Sequence, residues 1–135
     1  MSLSLTMSYV VTEAQAAAAS SSARLFVRGN KYVFDAGQGA LAKALTTYRE
    51  DIENELDVVT KLHDLAPSRG KHDPADVFAI AVALRDALDA DGDLVVKRVA
   101  ELANGGALFR KELLDLEAFA RFGIAHGLVL SHSFG

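Results

Sequence analysis

The chain contains no cysteine and only two prolines in 135 residues. Without cysteine there is no disulfide, no thiol nucleophile and no cysteine-ligated zinc, a composition that suits a reducing cytoplasm. The N-terminus lacks the basic stretch and long apolar run of a secretory signal. No apolar segment approaches the roughly 18 residues that a membrane span requires. These absences predict a soluble, cytoplasmic protein without a membrane partner. An excess of positive charge is missing too. The formal net charge is −4, which disfavours nucleic acid as a partner, since a broad footprint needs clustered Lys and Arg. No GxSxG, Walker-type loop, GxGxxG or HExxH pattern occurs, so no common catalytic or cofactor signature is present. Gly37-Gln38-Gly39 comes nearest to a glycine-rich loop, but it is short, lacks the Lys, and reads as a flexible joint.

What is present is amphipathic patterning. Half the residues are hydrophobic, enough for one domain over 1–135 with one core. Residues 2–11 alternate, with Leu3, Leu5, Met7 and Tyr9 on one face and Ser2, Ser4, Thr6 and Ser8 on the other, which predicts a half-buried strand. Met7 offers a second start, which would make residues 1–6 an addition. Thr12 and Gln15 have capping-box spacing and open a short helix over about 13–23. Residues 24–35 read as a hairpin on Gly29-Asn30, pairing Val27 with Tyr32 and Leu25 with Phe34, a helix over 14–28 being the alternative. Leu41, Leu45, Tyr48, Ile52, Leu56, Val59 and Leu62 step by three and four and predict one long helix over 38–65. Pro67 ends it, and residues 67–72 read as a loop. Asp73-Pro74 caps and starts another helix, which breaks at Asp89–Asp93. A fourth helix over 94–103 stops at Asn104-Gly105-Gly106, and a fifth runs over 107–122. An apolar tail, Ile124–Leu130, follows. The expected fold is mainly α (α+β): a compact bundle of about four to five helices with a small N-terminal antiparallel β element.

Candidate sites are few. Asp86, Asp89, Asp91 and Asp93 surround Gly92, but an EF-hand register puts Ala87 first and Arg98 twelfth, so both calcium anchors fail and the acids read as helix caps. Arg69, Lys71 and His72 precede a helix start and form an anion-binding candidate. His63, His72, His126 and His132 show no ligand spacing. His63 sits near a helix end, where imidazolium suits the dipole, and His126 lies in the apolar tail. No catalytic residue, metal ligand or cofactor is expected.

Residues 97–130, with Lys97-Arg98-Val99-Ala100-Glu101-Leu102, then Leu113-Leu114-Asp115-Leu116-Glu117 and Gly127-Leu128-Val129-Leu130, resemble the helix–turn–helix–strand rhythm of winged-helix regulators. That resemblance implies DNA contacts near the start of the second helix, at Arg110 and Lys111. The turn lacks the usual Ser or Thr, and no basic wing follows Leu130.

The leading functional expectation is a non-enzymatic, self-associating interaction or adaptor module. A homodimer, or a protein partner, would cover Leu25, Val27, Tyr32, Phe34, Leu128 and Leu130, because a lone hairpin must pack on something. The alternative is the winged-helix-like DNA-binding regulator. The third reading is a small-ligand binder or enzyme using the Arg69–His72 loop.

Overall fold

The computed structural model describes residues 4–56, 62–65, 67–102 and 106–135. The alternation at the N-terminus forms strand β1 (Leu5–Val10), with Leu5, Met7 and Tyr9 buried. The capping box is made, Thr12 accepting from the Gln15 N–H and Gln15 from the Thr12 N–H, and it opens helix α1 (Glu13–Ala18). Strands β2 (Leu25–Arg28) and β3 (Lys31–Gly37) form the expected hairpin in the expected register, with Gly29 at φ 61° in the turn.

The predicted long helix is broken. Helix α2 (Ala40–Leu45) ends at Thr46, whose hydroxyl donates to the Ala42 carbonyl, and helix α3 (Arg49–Glu55) begins after Tyr48. Thr46 supplies this back-bonding, and Thr46 and Thr47 together supply the β-branching that disfavours helix. The inward stripe survives the break, because Leu41, Leu45 and Ile52 are all buried. Residues 57–61 of that helix lie outside the described residues, and Leu62–Leu65 is a 3-10 turn. So does the expected stop at Asn104-Gly105.

Strand β4 (Arg69–His72) replaces the expected loop. Asp73 then caps helix α4 (Pro74–Asp89) by accepting from the Ala75 N–H at 2.9 Å. Helix α5 (Val95–Leu102) is capped from outside by Glu55, whose carboxylate accepts the Val95 N–H. Helix α6 (Gly106–His126) runs one turn past its expected end. It stops at Gly127, φ 62°, with Leu128 N–H bonded to the Gly123 carbonyl and Gly127 N–H to that of Ile124, the Schellman arrangement. The tail becomes strand β5 (Leu130–Phe134).

The five strands make one antiparallel sheet in the order β2-β3-β1-β5-β4. The expectation of a helical bundle with a small N-terminal β element is therefore overturned. The fold is α+β, with six helices among the described residues and a sheet that draws on both ends of the chain. The missed strands explain the error. β4 points Gly70 and His72 inward, which gives no apolar signal, and β5 alternates Leu130, His132 and Phe134 with two serines.

Helix α6 lies on one face of this sheet. Phe119 stacks on Tyr9 at 4.3 Å and contacts Tyr32 and Phe34, while Phe122 meets the edge of Tyr32. The Tyr9 hydroxyl donates to the Phe119 carbonyl at 2.8 Å. Helix α4 packs along α6, and buried Glu117 receives two bonds from Arg85. Buried Glu112 accepts the Leu41 N–H at 2.9 Å and so caps α2, whose own cap residue, Gly39, has no side chain to offer. A Cβ on Gly39 would collide with that carboxylate.

Gly123 is a point of close sheet–helix approach, since a Cβ there would overlap the buried Tyr9 ring. Gly123→Ala should gain about 1 kcal/mol of helix propensity, yet overpacking of this kind costs about 1–3 kcal/mol. A net loss of stability in urea melts is expected. A stabilised variant would contradict the contact.

Candidate anion-binding site

The sheet has two unlike faces. Along β1 and β5, inward Leu5, Met7, Tyr9, Leu130, His132 and Phe134 are buried, so Thr6, Ser8, Ser131 and Ser133 point the other way. On β4, Arg69 and Lys71 point the same way and are exposed. Register then builds two parallel rows. Lys71 lies opposite Ser131, which lies opposite Ser8; Arg69 lies opposite Ser133, which lies opposite Thr6. Each row is a cation followed by two hydroxyls, with strands about 4.8 Å apart. The rows line an open depression of about 440 Å³ that Lys31 borders from β3.

Charge on this face is mostly positive. Among the described residues no ion pair engages Lys31, Arg69 or Lys71. Arg28 lies over the Phe26 ring at 5.0 Å. Asp35, opposite Thr6, is the one acid on the face among the described residues, and its carboxylate already accepts the Gly37 N–H. A chain of formal charge −4 thus carries a local positive surface.

On the reverse of the same strands sits a histidine pair. His132 is buried, and His72 is partly exposed. His132 Nε2 lies 2.7 Å from the Pro67 carbonyl oxygen, which can only accept, so Nε2 carries the proton. His132 Nδ1 is then the acceptor in the 2.6 Å bond to His72 Nε2, which donates. Gly70 makes the pair possible, because a Cβ there would press on both rings. Burial first, and His132 second, hold His72 below the ordinary imidazole pKa, against the pull of Asp64 and Asp76.

The structure separates the Arg69–His72 candidate. Arg69 and Lys71 face solvent, and His72 faces His132. Of the six residues named for an interface, Leu25, Tyr32, Phe34 and Leu130 are buried within the protomer and Leu128 packs partly against its core. Val27 is 42% exposed. Arg110 is held by Asp89 through bonds of 2.6 and 3.1 Å, and Lys111 is exposed one residue on. Asp93 pairs with Arg98, and among the described residues no group of three His, Asp, Glu or Cys is placed to hold a metal. His126 stacks on Phe122, and the His63 side chain lies outside the described residues. Sequence reasoning missed Lys31, Thr6, Ser8, Ser131, Ser133 and His132 as site residues. The alternation in Leu130–Phe134 was the available signal.

A larger depression, about 980 Å³, lies between α3 and α5. Its carboxylates Asp51, Glu55 and Glu101 face a single Arg98, Glu55 already caps α5, and its rim adjoins residues outside the described set. No helix among the described residues is long and apolar enough to cross a membrane.

No protein-family model matches this chain, and neither curated proteins nor solved structures show a match. Any functional reading therefore rests on the geometry.

The histidine pair has a pH signature. The depressed folded pKa of His72 means that the unfolded chain binds the proton more readily, so its contribution is complete above about pH 6.5 and declines as pH falls toward the folded value. The melting temperature should drop on acidification from about pH 7.5 to about pH 5.5, less steeply in His72→Gln. Identical slopes in wild type and variant would show that His72 is not the titrating element.

Proposed function

We propose that the protein is a non-enzymatic binding module that holds a phosphate- or sulfate-class anion on the open face of its sheet. The observation that carries this reading is the pair of parallel cation–hydroxyl–hydroxyl rows, Lys71–Ser131–Ser8 and Arg69–Ser133–Thr6. A tetrahedral oxyanion presents several acceptor oxygens at once. Hydroxyls can donate to them while the guanidinium and ammonium supply charge, and charge-assisted bonds of this kind are the stronger ones. His72 and His132 bond to each other on the opposite face, and the carboxylate of Asp35 on the open face is already engaged by the Gly37 N–H.

Self-association remains a proposal beside it. Its support is now Val10 and Val129, 65% and 60% exposed at neighbouring ends of β1 and β5, together with Ile124 and Val27. Sedimentation at micromolar concentration tests it.

The anion reading predicts that inorganic pyrophosphate binds in calorimetric titration at low salt and weakens as salt rises. Arg69→Ala and Lys71→Ala should each lower affinity roughly three- to tenfold, and the double variant should lose binding, with stability changed by less than about 0.5 kcal/mol because both positions are exposed. Undiminished binding by the double variant would overturn the reading.

A further inference from the structure

We propose that the His72–His132 pair makes the anion site proton-linked, so that the anion and one proton bind together and affinity rises as pH falls. This inference rests on the anion-binding reading above. The pair and the site share two strands residue by residue: His132 stands between Ser131 and Ser133 on β5, and His72 follows Lys71 on β4. Neighbouring side chains on a strand point to opposite faces, so the pair sits directly behind the hydroxyl rows.

The hydrogen bonds determine how many protons the pair takes. In the neutral pair, His132 Nε2 donates to the Pro67 carbonyl and His72 Nε2 donates to His132 Nδ1. One ring nitrogen, His72 Nδ1, is used by neither bond. A proton added there turns His72 into an imidazolium that still donates through Nε2, and both bonds survive. A second proton would have to occupy His132 Nδ1, the acceptor of the 2.6 Å bond, and would break it. The pair therefore accepts one proton without rearrangement.

The charged groups around it set its resting state. Asp64 from the Leu62–Leu65 turn and Asp76 from the first turn of α4 favour the imidazolium. Asp73 caps α4 beside His72, Arg69 and Lys71 flank Gly70 on β4, and β1 presents uncharged Met7 opposite His132. Burial first, and the His132 ring second, oppose protonation and hold His72 below the ordinary imidazole range. An anion on the open face adds negative charge behind the pair and so favours the His72 imidazolium. By reciprocity, a protonated pair must bind the anion more tightly.

Sulfate is the suitable probe because it stays a dianion over the range in question. Titrations at about pH 8 and about pH 5.5 lie on either side of the ordinary imidazole pKa. At constant ionic strength, wild-type affinity should tighten on the order of three- to tenfold at the lower pH, the size expected of one charge acting through a sheet. His72→Gln keeps a donor for His132 Nδ1 but cannot take the proton. It should bind sulfate at both pH values with the wild-type affinity seen at the higher one, its fold checked by circular dichroism at each pH. Wild-type calorimetry in buffers of different ionisation enthalpy should reveal proton uptake. Sulfate binding with pH-independent affinity, or an unchanged pH dependence in His72→Gln, overturns the coupling alone. No sulfate binding at either pH overturns the anion site and the coupling with it.

Discussion

The seat of Tyr9 on Gly123 is the constraint from which the rest of the structure follows. Tyr9 belongs to the central strand of the sheet, and Gly123 to the long helix that covers it. Only a residue without a Cβ lets the ring lie this close to the helix axis. The Tyr9 hydroxyl, pushed well above the usual phenol range by burial, donates to the Phe119 carbonyl and fixes the helix lengthwise. Phe119 then reaches Tyr9, Tyr32 and Phe34 together, joining three residues that come from two strands. Aromatic pairs of this kind contribute beyond the area they bury.

Once α6 lies on that face, most of the apolar side chains of the sheet are used up inside the protomer. The polar residues of β1, β4 and β5 are left to solvent, and the antiparallel register aligns them into rows. Serines and a threonine that look like mere solvated positions in sequence become a block of donors beside Arg69 and Lys71. The same alternation puts His132 and His72 on the covered side, where Gly70 gives them room. Site and titrating pair are thus two faces of one pair of strands.

Much of this was legible locally. The capping box at Thr12, the hairpin register from Leu25 to Phe34 and the Asp73 cap all follow from contacts within a few residues in sequence. The apolar stripe through Leu41, Leu45 and Ile52 predicted burial correctly even though Thr46 interrupts the helix. What was not legible depends on distant partners. β1 pairs with β5 across more than a hundred residues, and nothing near Leu5 announces Phe134. Arg69–His72 is a strand only because β5 lies beside it. The hairpin's apolar face suggested a second copy, but α6 of the same chain covers most of it. Arg69 and Lys71 were recognisable as an anion candidate from their charge, whereas their hydroxyl partners needed the register.

The absence of cysteine allows a direct test of the two-faced sheet and its ligand. Single variants Ser8→Cys and Ser131→Cys place a thiol on the open face, and Met7→Cys and Leu130→Cys place one on adjacent residues of the covered face. The rate of reaction with a thiol reagent, measured with and without pyrophosphate, is the decisive quantity. The account predicts rapid labelling at Ser8→Cys and Ser131→Cys that pyrophosphate slows, and slow labelling at the other two that it leaves unchanged. Equal rates on both faces, or open-face thiols that pyrophosphate fails to protect, would contradict it.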